Sequence, residues 1–407
     1  MSLRQHLLQV YESALEAVDG RTCVARTMAG QAFGVDVHVI AIGKAAAAML
    51  HGANDVLGDH LRQGLLITKS GHTDIFPDHI KQFAAGHPWP TQASLDAGAT
   101  LLEFIQSSPQ DAQLLFLISG GTSSLVEVLP DGISLDELHR VNDWLLGSGL
   151  DIHAMNHVRK AISCIKGGRL AQQLDGRSAQ VLLISDVPGD DPATIGSGLL
   201  VPEILLATEA PLDLPGWIEA LMQKGIPAAH NGAACFENIE VKIIASLSDA
   251  KHAAAAQGRA LGYEVYEHGA VLGGDAAAVG RQLAGELLAA GPKVMHVWGG
   301  ETSVRLPDKP GRGGRNQQLA LAAAIELEGE AGVAFLAAGT DGTDGPTDDA
   351  GAMVDGGTVA RGEAEGLEPK AALLNADAGS FLNASGDLIQ TGPTGTNVMD
   401  LMVGVRQ

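Results

Sequence analysis

Three observations predict an α/β fold divided into two domains. Short apolar runs alternate with longer, Ala-rich stretches of helical period, and nearly every apolar run ends in a Gly-rich or acidic turn. The chain has 407 residues, beyond the size at which one hydrophobic core usually stops growing.

Leu3, Leu7, Leu8, Tyr11, Leu15 and Val18 recur at helical spacing with Glu12, Glu16 and Asp19 between them. That pattern is an amphipathic helix rather than a signal peptide. Val37 to Ile42 reads as a buried strand, followed by a helix from Ala45 to Leu57. Further strands are expected at Leu114 to Ile118, Val181 to Ile184, Val241 to Ala245, Val294 to Trp298 and Val333 to Ala338, mainly in parallel arrangement. A short helix is expected to close the chain after Asn397. Between Val201 and Ala234 the rhythm weakens, and Pro202, Pro211, Pro215 and Pro227 interrupt it. The expected division is therefore an N-terminal Rossmann-like domain at 1–230, its mainly parallel sheet flanked by helices, and a second α/β domain at 231–407. The active site is expected in the cleft between them, because open α/β sheets bind ligands at the carboxyl ends of their strands.

Composition narrows the function classes. With 26 Lys plus Arg against 48 Asp plus Glu, the net charge of -22 repels phosphate backbones and anionic membrane surfaces, so neither nucleic acid nor membrane is an expected partner. No apolar run approaches the ~20 residues of a membrane span. Cys23, Cys164 and Cys235 are odd in number and widely separated, which argues against a disulfide framework and structural zinc and fits the reducing cytoplasm. The 14 His residues form neither HxH nor HExxH, so catalytic zinc is not expected.

The strand-end turns carry the chemistry. Gly43-Lys44-Ala45-Ala46 leaves a strand and opens a helix, placing N–H donors and a lysine where an anion can sit, although a tight turn with a solvated lysine has the same sequence. Ser119-Gly120-Gly121-Thr122-Ser123-Ser124 pairs two glycines with hydroxyls suited to phosphate oxygens, yet has no Walker A order. A GxGxxG dinucleotide fingerprint is absent, and Ser119 lacks the GxSxG elbow. The segment MNHVRKAISCIKGGRLA supplies Arg159, Lys160, Lys166 and Arg169, with Arg159 and Lys166 expected on one helical face. It is the densest positive patch in an acidic chain, and its alternative reading is a basic surface with Gly167-Gly168 as a C-cap.

Ser185-Asp186-Val187-Pro188-Gly189-Asp190-Asp191 clusters carboxylates in a turn, which suits Mg²⁺ completed by substrate phosphates and also suits ordinary turn chemistry. Arg315, after the Gly311 to Gly314 run, is expected at a helix N-terminus, where a guanidinium is disfavoured unless something anionic binds. Asp341, Asp344, Asp348 and Asp349 fall in one loop that can hold metal, act as a base or simply turn; it lacks the EF-hand order.

Taken in order, AIGKAAAAM, AGHPWP, LISGGTSSL, MNHVRKAISCIKGGRLA, ISDVPGDDPATIGSG, GGETSV, GRGGRNQQLALA, AAGTDGTDGPTDDAGAMVDGG and LIQTGPTGTNVMDLM resemble the class II glycerate kinases, which join an N-terminal glycerate kinase domain to a C-terminal MOFRL domain. The resemblance runs from about Val39 to Met402. It implies ATP-dependent phosphorylation of D-glycerate to 2-phosphoglycerate with Mg²⁺, although members are also labelled hydroxypyruvate reductases. The family's catalytic Lys in GKAA matches Lys44 and its Arg in GGRNQ matches Arg315. Its aspartates match Asp186, Asp190, Asp341 and Asp344, with the roles of base and metal ligand undivided among them. The sequence departs from the family pattern at Gly196, Leu199, Leu200 and Met399.

The resulting expectation is phosphoryl transfer by charge neutralisation, with Lys44, Arg315 and Mg²⁺ on the γ-phosphoryl group and Asp186, or next Asp341, as base. Gly43, Ser119, Gly120, Gly121, Thr122 and Ser123 are expected at a phosphate or carboxylate. Arg159, Lys166, Arg169, Glu301, Asn316, Thr340 and Thr394 complete the expected substrate contacts. A homodimer is left open. Two other classes stand beside the kinase: an NAD(P)H-dependent hydroxypyruvate reductase and a catalytically silent anion-binding protein.

Overall fold

The computed structural model describes residues 2–150, 152–203, 212–228 and 232–407. The expected domain boundary at 230 lies outside the described residues. The chain forms two compact units, one of Gly20–Ile244 and one that joins the residues up to Asp19 to Ala245–Gln407. The first helix, Leu3–Ala17, therefore belongs with the C-terminal part of the chain rather than with the N-terminal domain in which it was expected.

The unit of Gly20–Ile244 is built on six strands: β1 (Val37–Ile42), β2 (Leu61–Lys69), β3 (Ile80–Ala85), β4 (Gln113–Ile118), β5 (Ala179–Ile184) and β6 (Ile239–Ala245). Their order is β3-β2-β1-β4-β5-β6, and β3, β2, β1, β4 and β5 pair in parallel. β1, β4 and β5 are buried along nearly their whole length, which is why they appear as continuous apolar runs. β2 and β3 escape the sequence pattern because polar and exposed residues such as Arg62, Gln63 and Lys81 interrupt them. The chain runs from β1 outward to β3 and then returns to place β4 on the other side of β1. That reversal is the topological switch point at which such sheets open a crevice. Ile42 lies opposite Ile118, so the turns after β1 and β4 emerge side by side.

The other unit holds β7 (Glu264–Leu272), β8 (Val294–Gly300), β9 (Val333–Gly339), β10 (Gly351–Asp355), β11 (Leu388–Ile389) and β12 (Asp400–Arg406), in the order β11-β10-β9-β12-β8-β7. Only β7 and β8 pair in parallel; β12 runs antiparallel to both β8 and β9. This sheet is thus mixed, where parallel strands were expected. The closing segment, expected as a short helix, is the central strand β12. Its run of buried residues, Leu401 to Val405, has no alternation, and in so short a run period cannot separate strand from helix.

Helix Arg315–Glu326 lies between helix Ala276–Ala289 and the strands β9 and β10, and Asn316 through Ala324 are all buried. Close approach of the two helices rests on Gly280, where an added Cβ would stand 2.2 Å from the Leu319 carbonyl oxygen. Leu3–Ala17 opens with a capping box between Ser2 and Gln5 and packs on β9, β12 and the helix Leu247–Ala260. Among the described residues no helix is long and apolar enough to cross a membrane.

Gly280→Ala has to push the helix backbones apart. It is expected to cost about 1–3 kcal/mol, read as a lower denaturation midpoint at unchanged slope.

Candidate functional site

At the switch point, sequence and backbone geometry act together. Gly43 sits at φ 130°, and a Cβ there would lie 2.1 Å from Ser119 Oγ, so glycine alone lets the β1 turn pass against the β4 turn. The two turns are then tied: Lys44 N–H donates to the Gly120 carbonyl at 2.9 Å, and Ala45 N–H donates to Ser119 Oγ at 3.0 Å. Thr122 Oγ1 lies 2.7 Å from the Ser119 carbonyl and 3.0 Å from that of Ile42. Ser119 and Thr122 are fully buried and bonded inside the protein, so they shape the turn rather than face a ligand. Gly120 is buried too; half-buried Gly121 and exposed Ser123 form the turn's outer surface, and Lys44 is half-buried beside them. A Cβ on Gly121 would fall 3.4 Å from Lys44 Cγ and 3.1 Å from the His87 ring. His87, part of the AGHPWP segment, is thereby placed at the turn, a position that spacing along the chain did not disclose.

The basic segment is not one helix. Its helix, Ile152–Ala161, ends before Cys164, so the seven-residue step from Arg159 to Lys166 has no helical meaning. Gly167 and Gly168, both at positive φ, instead tie the chain to Ser197 and Gly198 through N–H···O bonds of 3.0 and 2.7 Å. Lys166 Nζ is buried against Glu127 Oε2 at 2.5 Å and Ser123 O at 2.8 Å. Glu127, fully buried, also accepts from Ser163 Oγ at 2.6 Å and from Val128 N–H at 3.0 Å. Arg169 donates to the carbonyls of Ile226 and Lys166 and faces Glu203. Both cations are therefore neutralised by the chain's own groups. Arg159 differs: its Nε donates to Asn142 Oδ1 at 2.9 Å, and no carboxylate pairs with it among the described residues. It lines a cavity of about 350 Å³ together with Ser123, Asn142, Asn156, Lys166 and Ser197.

Asp186 is half-buried at the carboxyl end of β5, and Asp190, at φ 53°, lies four residues beyond it. Asp191 caps its own turn through Ala193 N–H and Thr194 Oγ1.

In the other unit, Arg315 begins the helix as expected, and the anion that offsets the helix dipole belongs to the protein. Asp400, buried at the start of β12 opposite Gly300 and Gly339, accepts from Arg315 Nε and Nη2 at 2.5 and 3.0 Å. Exposed Glu301 meets Arg315 Nη1 at 2.7 Å. No ligand is needed to account for a guanidinium at that end. Asp400 escaped the sequence reading because its partner is 85 residues away and its strand was read as a helix.

Asp344 caps the same helix, accepting from Asn316 N–H at 3.0 Å and Gln317 N–H at 2.8 Å, and Asn316 Nδ2 lies 3.4 Å from the same carboxylate. Its carboxylate is thus filled by the helix end and is not open to a metal, contrary to expectation. Asn316 is likewise buried. Burial pushes Asp344 up to about 7, with the Asp400 charge adding to the rise, while the two backbone donors and Arg315 oppose it. Asp341 accepts from Thr343 N–H and Oγ1 at 3.0 and 3.1 Å. Thr340 Oγ1 and Thr394 Oγ1 are engaged by Met399 O and Thr340 O, so these two hydroxyls tie loops together instead of facing a substrate. Tyr11, read from the sequence only as an apolar helix position, donates its hydroxyl to Gly339 O at 2.7 Å; burial, with Asp341 and Asp400 nearby, pushes the phenol far above its ordinary range. A second cavity of about 340 Å³ is lined by Thr302, Leu306, Gly314, Arg315 and Pro346.

Among the described residues no group of three or more His, Cys, Asp or Glu side chains forms a metal cage. A Mg²⁺ ion needs none, since it retains water and takes one or two carboxylates with substrate phosphates. Asp186 and Asp190 are two carboxylates of one turn, the number that smaller demand asks for.

Comparison with known proteins covers nearly the whole chain. Residues 6–210 match the family described as a domain of unknown function, DUF4147, and residues 294–400 match the MOFRL family. The D-glycerate 2-kinase of Thermotoga maritima is 35% identical over 99% of this chain and 98% of its own. A protein of Agrobacterium vitis named putative hydroxypyruvate reductase is 39% identical over 89% of this chain and 97% of its own. The crystal structure of a glycerate kinase from Thermotoga maritima superposes with a TM-score of 0.86 at 34% identity, covering 100% of both chains.

Two outcomes are expected. Glu127→Gln leaves Lys166 buried against a neutral partner and should destabilise the fold by about 3–5 kcal/mol in chemical denaturation. Asp344 has its folded-state value raised, from an ordinary 3.8 to about 7, so the folded protein holds the extra proton. That contribution to stability is full below 3.8 and is lost as pH rises through about 7. Asp344→Asn, a permanently neutral cap, should flatten this component when unfolding is followed across that window.

Proposed function

The chain belongs to the family of glycerate kinases built from a DUF4147 module and a MOFRL module, and from that membership we propose that it is an ATP-dependent glycerate 2-kinase. In this reading it transfers the γ-phosphoryl group of ATP to the 2-hydroxyl of D-glycerate and releases ADP. The observation that carries the proposal is similarity to a named D-glycerate 2-kinase across 99% of the chain, with Lys44 in the turn after β1 and Arg315 at the start of helix Arg315–Glu326.

The chemistry asks for positioning and charge neutralisation more than for covalent bonds to the protein. Lys44 extends from the tied β1–β4 turns, where half-buried Gly121, which has no side chain, leaves backbone for a phosphate oxygen to approach. Arg315 is clamped on one edge by Asp400, so its fork is oriented; its Nη1 contact with exposed Glu301 is the one an incoming phosphate can replace. Asp186, at the open end of β5, accepts the proton of the attacking hydroxyl. Asp186 and Asp190 would hold Mg²⁺, which supplies further neutralisation of phosphate charge when bound.

Names among the relatives also support a hydroxypyruvate reductase reading. Against it, the turn after β1 is Gly43-Lys44-Ala45 and has no three-glycine dinucleotide fingerprint.

ADP release measured with Mg²⁺-ATP is expected to depend on D-glycerate, with a 2-phosphate signal by phosphorus NMR. NAD(P)H oxidation with hydroxypyruvate, without glycerate-dependent ADP, would replace the kinase by the reductase. Lys44→Ala should lower kcat by two orders of magnitude or more while the melting temperature is kept; near-normal turnover would remove Lys44 from the mechanism.

A further inference from the structure

Four basic residues lie in the 155–171 segment, and the structure separates them by what neutralises each. Lys160 Nζ donates to the Ala193 carbonyl at 3.1 Å and lies 3.9 Å from Glu203. Lys166 is matched by buried Glu127 at 2.5 Å. Arg169 has two backbone carbonyls and Glu203. Arg159 has the neutral Asn142 side chain on Nε, and its two Nη groups, five donors less one, have no partner among the described residues. Arg177, buried where Arg159 is half-buried and also without an acid among the described residues, makes the contrast clear: its Nε, Nη1 and Nη2 all end on the carbonyls of Ser108 and Leu174.

The unmatched end of Arg159 belongs to a side chain lining the cavity of about 350 Å³. Asn142 fixes the guanidinium on its Nε side, leaving the Nη edge, which is the edge that takes a carboxylate through two parallel bonds. Asn156, one helical turn earlier, and Ser123, at the edge of the Gly120-Gly121 turn, line the same cavity and offer an amide and a hydroxyl to alcohol groups. Trp89, Leu138 and Leu146 contribute apolar wall, so the cavity has Arg159, a Lys166 already paired with Glu127, a few neutral hydrogen-bonding groups and an apolar side. That is the composition of a site for a small monocarboxylate bearing hydroxyls. Burial lowers the Arg159 proton affinity, and no acid among the described residues offsets it.

We propose that Arg159 is the carboxylate anchor of the hydroxy-acid pocket, with Asn142 as its positioning residue, and that Lys166 and Arg169 are structural. The inference rests on the kinase reading for what happens to the bound acid, though not for its binding. A carboxylate docked on Nη1 and Nη2 has its hydroxyls turned toward Asn156 and Ser123. Neutral polyols, lacking the carboxylate, forgo the charge-assisted pair and are discriminated against.

The test uses the full-length protein with D-glycerate and its uncharged analogue glyceramide. In Arg159→Gln, KM for D-glycerate should rise about 30-fold or more, while KM for ATP stays within threefold and the preference for glycerate over glyceramide collapses. Arg159→Lys keeps the charge but loses the fork, and should retain part of that preference. Without any nucleotide, D-glycerate should raise the melting temperature of the unsubstituted protein and not that of Arg159→Gln. A glycerate KM within threefold of normal, a parallel rise in the KM for ATP, or failure of both variants to fold would overturn the assignment. If the unsubstituted protein gives no glycerate-dependent ADP, the kinase reading falls; the thermal shift still decides the anchor separately.

Discussion

A charge removed from water must be met by another charge or by donors and acceptors in good geometry, and in this strongly acidic protein that requirement organises both units. Arg315 shows it most directly. The guanidinium stands at the positive end of a helix that is buried from Asn316 to Ala324, an arrangement tenable because Asp400 grips it from the neighbouring strand. Asp344 in turn satisfies the first amides of that helix. Remove these carboxylates and the helix end, the β9 loop and the first residue of β12 have no common anchor. Lys166 with Glu127, Arg312 with Asp349 and Arg361 with Asp387 repeat the same solution. Against that background an Arg159 whose Nη groups meet no partner among the described residues is a departure with chemical meaning.

The two units reach similar strand-end chemistry by different topologies. In the first, parallel strands diverge at β1 and β4, and a glycine at positive φ lets their turns touch. In the second, antiparallel β12 is inserted between β8 and β9, so its first residue comes level with their last ones. Asp400 is consequently delivered to Arg315, Asp341 and Gly339 by register, with no loop of its own to place it.

Much of the fold was legible in the residues. Strands buried on both faces, such as Val37–Ile42 and Val333–Gly339, announce themselves as unbroken apolar runs, and the Gly-rich turns that follow them mark where ligands bind. Edge strands β3 and β7, which carry polar and exposed residues, were silent, and β12 was read as a helix because a short buried run has no distinguishing period. Of the candidate site, Lys44, Gly120, Gly121, Asp186 and Arg315 fall where the motifs placed them. Ser119, Thr122, Thr340 and Thr394 turned out to be engaged in holding turns together, since a hydroxyl in a glycine-rich loop looks the same in sequence whether it faces a ligand or a neighbouring carbonyl.

The sequence by itself determined the alternation of strand and helix, the family, and the turns in which cations and carboxylates gather, because these depend on local pattern and on short contiguous motifs. Only the tertiary structure decided which charges are left to act. Pairing is made across distances of 39 residues between Glu127 and Lys166 and 85 between Arg315 and Asp400. Electrostatic neutralisation depends on separation in space, which falls off over a few ångströms and is unrelated to separation along the chain.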